Sequence, residues 1–394
     1  MRLWLAGWCP TRHDGGVTLP FATSERSTVG VEWELQLVDE DSLDLRQCAA
    51  SVLQRLERAR GEAHPNVHHE LLLNTIELVS NPGHTIAEVI ADIERSIHDV
   101  SPVLNGLGVV LATAGTHPFA NPLYQRVTNK ERYARLVDRT RYWGQQMLLF
   151  GMHVHVGIET RDKVLPILNA MLTQHAHLQA ISASSPFWSN KSTGYASNRA
   201  MMFQQLPTAG LPHHFETWDQ LERYTDNMLH TGVIEDFSEV RWDIRPSPRL
   251  GTIEVRVCDA PTNLTELRGF AALVHCMVES FSRRYDEGET LPSMPQWYLA
   301  ENKWRSARYG MDAILILDAE GNEELVTETL ARQMEELAPV ARDLGCEREL
   351  ASLQVVLDRG ASYQRQHRVW AKNGNHMESV VRLMVDEFEL GRPI

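Results

Sequence analysis

Hydrophobic and polar positions along the chain follow two periods, one of two residues and one of about 3.6 residues, in separate segments. The segments with the short period are brief, rich in β-branched residues and closed by Gly, Pro or Asn, which predicts strands. These strands are predicted at 28–38, 74–80, 108–115, 151–158, 239–245 and 251–259. The longer period predicts helices at 46–60, 85–106, 129–149, 162–183, 216–231, 263–286, 297–311, 325–344, 347–359 and 375–389.

The predicted strands mostly alternate in polarity, which indicates a sheet with one face on a helical layer and the other face open. Residues 239–259 are close enough in sequence to form one hairpin that turns at 246–249. Roughly the last hundred residues are predicted to be all-helical and to wrap the sheet. We therefore predict a single α+β domain over 27–394, preceded by an irregular N-terminal arm over 1–26 with little periodicity.

Charge narrows the classes of function. The chain of 394 residues has a formal net charge of -14, from 38 Lys and Arg and 52 Asp and Glu. Proteins that bind nucleic acid or anionic membranes neutralise phosphates with Lys and Arg, so neither partner is expected. A small anionic ligand would need a local cluster of Arg or metal ions.

The cysteines and the apolar runs bear on location. Five cysteines without CxxC spacing predict neither a disulfide framework nor a thiolate metal site, so a reducing cytoplasm is the expected location. The apolar run near the N terminus spans about six residues, fewer than the roughly 7 to 15 of a signal-peptide core. No apolar run approaches the roughly 20 residues of a membrane span. Oligomeric state stays open, and a homo-oligomer is compatible with the sequence.

The predicted strand 28–38 carries two glutamates inside an apolar run. Because successive side chains of a strand point to opposite faces, Glu32 and Glu34 share one face, and Trp33 lies on the other. Like charges so close together repel each other unless cations lie between them. This pair is the first indication of a metal site.

Other predicted strands also place charged or imidazole side chains on one face, namely Glu77, the pair His153 and His155, and the pair Glu254 and Arg256. A half-exposed sheet that turns charges to water would explain any one of these strands. Carboxylate and His pairs on four strands together favour a site. Carboxylates with one or two imidazoles suit Mg²⁺ or Mn²⁺ and can also take Zn²⁺.

A carboxylate-rich site with Arg nearby is what phosphoryl transfer requires. Arg256 is the strongest basic candidate because it shares the face of Glu254. Further basic candidates are Arg241, Arg245 and Arg249 near the last hairpin, together with Arg199, Lys303 and Arg308. The chain has no GxxxxGK[ST] loop and no GxGxxG fingerprint, so a nucleotide would be held by the sheet and by metal ions.

Six segments in this order resemble the glutamate-cysteine ligase type 2 family, also called YbdK-type carboxylate-amine ligases, of the glutamine synthetase-like superfamily. They are TVGVEWEL, HHELLLNTIEL, GTHPF, GMHVHVG, WDIRPSPRLGTIEVRVCD and ENKWRSARYG. The resemblance runs from about residue 27 to near the C terminus. It implies a curved, mainly antiparallel sheet shaped as a half-barrel funnel, with helices on its convex face. The concave face would bind ATP, divalent metals and an amino-acid carboxylate.

The resemblance also implies roles for individual residues. Ligands of the metal that spans the β- and γ-phosphates would be Glu32, His153 and Glu254. Ligands of the metal or metals nearer the acyl acceptor would be Glu34, Glu70 and Glu77. The phosphates would be faced by His155 and Arg256, and nucleotide-binding candidates would also include Lys303, Arg308 and Arg199. Arg245 would lie near the transferred group or the substrate carboxylate.

The activity that the resemblance implies is ATP-dependent ligation of glutamate to an amine such as cysteine, with two or more Mg²⁺ or Mn²⁺ ions. ATP would activate the carboxylate as an acyl phosphate, and attack by the amine would give the amide, ADP and phosphate. This chemistry needs no protein nucleophile, in agreement with the absence of a GxSxG motif. Catalysis would come from positioning and charge neutralisation.

Three alternatives stay open. The ligase could join another amino acid and amine. A His-x-His strand also occurs in amidohydrolase-type metal sites, although these need a parallel (β/α)₈ barrel with further His and Asp at later strand ends. The third alternative is a metal- or nucleotide-binding protein without catalysis.

Overall fold

The computed structural model describes residues 12–13 and 16–394, so residues 1–11 and 14–15 of the predicted N-terminal arm lie outside the described part. The strands are β1 (Arg12–His13), β2 (Gly16–Val17), β3 (Val29–Asp39), β4 (Val67–His69), β5 (Thr75–Val79), β6 (Val109–Ala112), β7 (Met152–Gly157), β8 (Phe187–Trp188), β9 (Lys191–Ser192), β10 (Ile244–Ser247), β11 (Thr252–Val255), β12 (Ile314–Ile316) and β13 (Glu323–Leu325).

The helices that accompany these strands lie mostly where the 3.6-residue period predicts them. They are α1 (Ala49–Arg60), α2 (Ile86–Asn105), α3 (Glu131–Thr140), α4 (Tyr142–Gln145), α5 (Arg161–Ser182), α6 (Asn198–Phe203), α7 (Trp218–His230), α8 (Leu264–Asp286), α9 (Gln296–Tyr309), α10 (Val326–Asp343), α11 (Glu347–Ala351), α12 (Gln354–Arg359), α13 (Ser362–Lys372) and α14 (Met377–Leu390). None of the helices described has the length and hydropathy needed to cross a membrane.

Seven strands form one open sheet in the order β10-β11-β7-β3-β5-β4, and β6 pairs with the last residues of β3. Every pairing within this sheet is antiparallel. The long β3 is the centre of the sheet because it pairs with β7, β5 and β6 along different parts of its length. The predicted α+β class with a mainly antiparallel sheet is confirmed.

One face of the sheet is apolar and packs on helices α2, α5, α8 and α14. On β3, Val31 is 1% exposed and Trp33 and Leu35 are fully buried, as the alternation predicts. The Trp33 ring lies 5.3 Å from the ring of Phe388 on α14. Burying a large apolar side chain stabilises a fold by about 1.5–3 kcal/mol, so this face fixes the direction in which the opposite side chains point.

The last hairpin of the sheet is shifted along the sequence from its prediction. The strand predicted at 239–245 is β10, at Ile244–Ser247, and residues before it form an irregular segment. Pro246 therefore lies within a strand rather than in the turn. The strand tolerates it because β10 is at the edge of the sheet, where a missing backbone N–H leaves no neighbour unbonded.

Several helix predictions also differ from the structure. The predicted helix 129–149 is divided into α3 and α4 because Arg141 adopts a left-handed backbone conformation with φ of 50°. The predicted helix 347–359 is likewise divided into α11 and α12, and α6 and α13 are additional. The C-terminal region is not all-helical, since β12 and β13 form a short hairpin.

Candidate active site

The polar faces of the central strands come together through the register of β3 with its two neighbours. Glu34 on β3 lies opposite Glu77 on β5, and Glu32 lies opposite His153 on β7. Directly opposed residues of paired strands point to the same face of a sheet. The four side chains therefore form a continuous polar patch on the face opposite Trp33.

The same patch continues across β7, β11 and β10. His155 on β7 lies opposite Glu254 on β11, which in turn lies opposite Arg245 on β10. Side-chain exposure in this part is low, from 2% for Glu254 to 16% for Arg245. The sequence-predicted Glu, His and Arg side chains thus share one sheltered face.

Glu32 is held at the centre of the patch by both histidines. Its Oε2 lies 2.7 Å from Nδ1 of His153, and its Oε1 lies 3.3 Å from Nε2 of His155. Burial alone would raise the pKa of Glu32, but the hydrogen bond with His153 and the close imidazole of His155 hold it well below the ordinary value. Burial and the charge of Arg256 lower the pKa of His153 to about 4. Glu32 is therefore an anion, and His153 is a neutral imidazole able to bind a metal.

One end of the patch is basic. Arg245 donates from Nε to Oε2 of Glu254 at 2.8 Å, and Arg256 donates to the other oxygen of the same carboxylate. Burial would raise the pKa of Glu254, but Arg245 and Arg256 hold it far below the ordinary range. Two guanidinium groups share this single carboxylate, so this end of the face carries excess positive charge.

The other end is acidic. Glu34 accepts a hydrogen bond of 2.5 Å from the backbone N–H of Gly151, and Glu70 lies 3.2 Å from the hydroxyl of Tyr133. Burial and the charge of Glu70 raise the pKa of Glu34 to about 8. Burial, followed by the charges of Glu32, Glu70 and Glu34, raises the pKa of Glu77 well above its ordinary value. Too little positive charge surrounds these carboxyl groups to stabilise all of them as anions. A bound cation would supply that charge and lower their pKa values.

The raised pKa of Glu34 leads to a prediction for the stability of the metal-free protein. The carboxyl of Glu34 ionises near 4.5 when unfolded but keeps its proton up to about 8 when folded. The folded state therefore binds more protons across this window, and stability falls as pH rises through it. The free energy of unfolding is measured in urea with EDTA at about pH 5 and about pH 8. Between these two pH values it should fall less for Glu34→Gln than for wild type. The exposed control Glu62→Gln should behave as wild type, and an equal loss in Glu34→Gln would contradict the assignment.

The arrangement of ligand atoms fits divalent metal ions. Two groups have ligand atoms that all lie within 4.8 Å of one another, one of Glu32, His155 and Glu254 and the other of Glu32, Glu77 and His153. Carboxylate oxygens with an imidazole nitrogen suit Mg²⁺ or Mn²⁺. Glu32 belongs to both groups. The geometry thus brings His155 as well as His153 into the set of candidate ligands.

The remaining basic candidates occupy different places. Arg199 donates to the backbone carbonyls of Val257 and Arg256, both at 3.3 Å, and its charge acts on Glu34. A side chain on Gly151 would place its Cβ 2.3 Å from Nη2 of Arg199, so glycine allows this close approach. Arg199 therefore adjoins the acidic end of the site.

Lys303 and Arg308 make contacts away from the patch. Nζ of Lys303 lies 2.5 Å from Oδ2 of Asp243, which also lies 3.0 Å from Nε2 of His175. Arg308 is exposed, with its guanidinium 5.9 Å from the ring centre of Tyr195. The structure does not bring either residue into contact with the carboxylates, and their nucleotide-binding roles stay predictions.

Two neighbours of the patch were not identified from the sequence. The hydroxyl of Thr252 lies 3.0 Å from Nδ1 of His155. The sequence did offer a signal for Thr252, because residues two apart on a strand share a face and Thr252 lies two residues before Glu254. Tyr133, which contacts Glu70, had no such signal because it lies on α3, far from Glu70 in sequence. Only the folded chain brings that helix to the acidic end.

Comparison with known proteins identifies the family. The model of Glutamate-cysteine ligase family 2 matches residues 28–386. A protein of Paenarthrobacter aurescens (strain TC1), named "Putative glutamate--cysteine ligase 2-2", is 51% identical over 378 residues, covering 95% of this chain and 99% of the relative. A protein of Arthrobacter sp. (strain FB24) with the same name numbered 2-1 is 50% identical with the same coverage.

Solved structures show the same fold at much lower identity. The glutamate–cysteine ligase of Francisella tularensis, in complex with AMP, has a TM-score of 0.64 at 13% identity and covers 93% of this chain and 90% of its own. The complex of the prokaryotic ubiquitin-like protein Pup with its ligase PafA has a TM-score of 0.50 at 13% identity, covering 90% and 71%. The family model spans almost the whole chain and close relatives share half of its residues, so the chain belongs to glutamate-cysteine ligase family 2.

Proposed function

We propose that the protein is an ATP-dependent carboxylate-amine ligase that joins glutamate to cysteine and forms γ-glutamylcysteine. Membership of the family supports the enzyme class. The observation that carries the proposal is the sheet face with an acidic end at Glu34, Glu70 and Glu77 and a basic end at Arg245 and Arg256. Such a face can hold metal ions and phosphate oxygens side by side, as phosphoryl transfer requires.

The proposed reaction has two steps. A carboxylate oxygen of glutamate attacks the γ-phosphorus of ATP, so the acyl phosphate forms and ADP leaves with the bridging oxygen. The amine nitrogen then attacks the acyl carbon, inorganic phosphate leaves, and the amine loses a proton. We assign the neutralisation of charge on the phosphoryl group to Arg256 and Arg245, a role supported by their shared position at Glu254. The amino acid that accepts the acyl group is proposed from the family name alone.

Divalent ions fit the site and would neutralise phosphate charge when bound. The residues that would hold them are Glu32, Glu34, Glu70, Glu77, His153, His155 and Glu254. His155 is a candidate ligand as well as a proposed phosphate-facing residue, because its Nε2 lies 3.3 Å from Glu32 and 3.9 Å from Glu254. ATP as co-substrate and free thiols at Cys258, Cys276 and Cys346 are compatible with the proposed cytoplasmic location.

The proposal is tested by ADP release from the purified chain with ATP, glutamate and Mg²⁺, scanned over amines with cysteine first. We expect ADP formation that needs both Mg²⁺ and the amine and that stops in EDTA. Amide formation with a different amine would support the ligase activity but replace cysteine as the acceptor. Hydrolysis of an amide without ATP would favour the hydrolase alternative, and calorimetric ATP binding without turnover on any amine would favour a non-catalytic protein.

A further inference from the structure

Arg241 is a half-buried arginine at the basic end of the site with no carboxylate partner among residues 18–394. It lies in the irregular segment that leads into β10. Its Nη1 donates to the backbone carbonyl of Glu239 at 2.8 Å, and its backbone N–H donates to the hydroxyl of Thr208 at 3.3 Å. No Asp or Glu oxygen of those residues lies within the 4.0 Å of an ion pair. The guanidinium therefore has most of its donors free.

The surroundings of Arg241 are positively charged. Burial lowers the pKa of Arg241; the charge of Glu239 opposes this, and the charges of Arg256, Arg245 and Arg139 add to it. Glu254 is already shared by Arg245 and Arg256. The carboxylate that Arg245 and Arg256 contact is therefore not available to Arg241.

Two segments keep Arg241 in this position. Arg245 donates from Nη1 to the carbonyls of Ser238 and Val240, at 3.0 and 2.5 Å, so the segment before Arg241 is attached to the edge of the site. Arg139 on α3 donates to the carbonyl of Val233 at 2.6 Å. The segment that carries Arg241 is therefore bonded to Arg245 and is not a free surface loop.

A guanidinium that is partly removed from water without an anion costs free energy, because its charge is not neutralised. The same planar group donates two parallel hydrogen bonds to a phosphate or carboxylate, which repays that cost when such a ligand binds. We propose that Arg241 binds an oxyanion of a substrate, either the transferred phosphoryl of ATP or the carboxylate of the amino acid. This inference rests on the proposed ligase function and adds a binding residue to it.

The test compares wild type with Arg241→Gln and Arg241→Lys, using Arg223→Gln as the control. Arg223 is an exposed arginine on α7 outside the site. Calorimetry measures binding of the β,γ-imido analogue of ATP with Mg²⁺, and separately of glutamate, while ADP release gives KM for each substrate. Because Arg241→Gln removes a charged hydrogen-bonded pair, it should raise the Kd of one of the two ligands by about 10- to 100-fold. Arg241→Lys should give an intermediate loss, since it keeps the charge without the planar fork.

The two arms identify the source of the oxyanion. Weaker binding of the ATP analogue alone assigns Arg241 to the phosphoryl group, and weaker binding of glutamate alone assigns it to the carboxylate. If Arg241→Gln keeps Kd and KM within twofold of wild type for both ligands, the inference is overturned. It is also overturned if Arg241→Gln loses no more affinity than the control Arg223→Gln. If wild type binds these ligands but makes no ADP with any amine, the proposed function fails while calorimetry still decides the role of Arg241. If wild type binds neither ligand, both proposals are overturned.

Discussion

Replacing Glu32 with glutamine is expected to lower kcat/KM for Mg²⁺-dependent ADP formation by about 10³-fold. Glu32 supplies a ligand atom to both candidate metal groups, so one substitution removes negative charge from each. An amide cannot replace that charge, and its NH₂ group would repel a cation. The side chain keeps its volume and its carbonyl oxygen can still contact His153, so folding should change little.

The measurement is the initial rate of ADP release at varied Mg²⁺ and ATP, with unfolding curves for both proteins. The matched control is Glu40→Gln, because Glu40 is an exposed glutamate just beyond β3 that makes no ion pair in the described part of the chain. The control should keep wild-type rates. If Glu32→Gln also kept rates within about threefold of wild type, metal binding at this face would be contradicted.

Replacing Arg365 with leucine should destabilise the protein by about 3–5 kcal/mol. Arg365 is 1% exposed and donates from Nε to Glu387 and from Nη1 to Glu266, both at 2.7 Å. The three residues join α13, α14 and α8. Removing the guanidinium leaves two buried carboxylates without a counter-charge, which accounts for the size of the expected loss.

Urea unfolding measures this loss, and Arg368→Leu on the same helix is the control. Arg368 is exposed, and within the described residues its side chain hydrogen-bonds to a backbone carbonyl and to no carboxylate, so its replacement should change stability by less than about 0.5 kcal/mol. The Arg365 ion network also holds α14 near the sheet, where Phe388 packs on Trp33. A loss below about 1 kcal/mol in Arg365→Leu would show that the network does not stabilise the fold.

The composition of the site follows from strand alternation, a local property of the sequence. Glu32 and Glu34 lie opposite Trp33 because side chains of a strand alternate, and the same holds for His153 and His155 on β7. What alternation cannot supply is the register between strands. The pairing of Glu34 with Glu77 depends on contacts between residues far apart in sequence.

The acidic end shows where local patterns fail. Glu70 follows a strand of three residues, β4, which is too short to display an alternating pattern. The break at Arg141, which divides α3 from α4, is also not visible in the local pattern. A glycine in the sequence would suggest a positive φ at that position, but an arginine does not.

Helix α13 was missed for a different reason. Its buried face includes the polar side chains of Arg365 and Gln366, so few apolar residues mark that face in the sequence. Polar residues can line a buried face when partners satisfy them, and those partners come from α8 and α14. Periodicity of apolar residues cannot detect a helix that is held by ion pairs.

We expect this sheet face to transfer the γ-phosphoryl of ATP to a substrate carboxylate. Glutamate labelled with ¹⁸O in its γ-carboxylate tests it most directly, with phosphate analysed by mass spectrometry after turnover with ATP, Mg²⁺ and the amine. An acyl phosphate intermediate predicts one ¹⁸O in each phosphate released, in step with ADP. ADP accompanied by unlabelled phosphate would contradict the account.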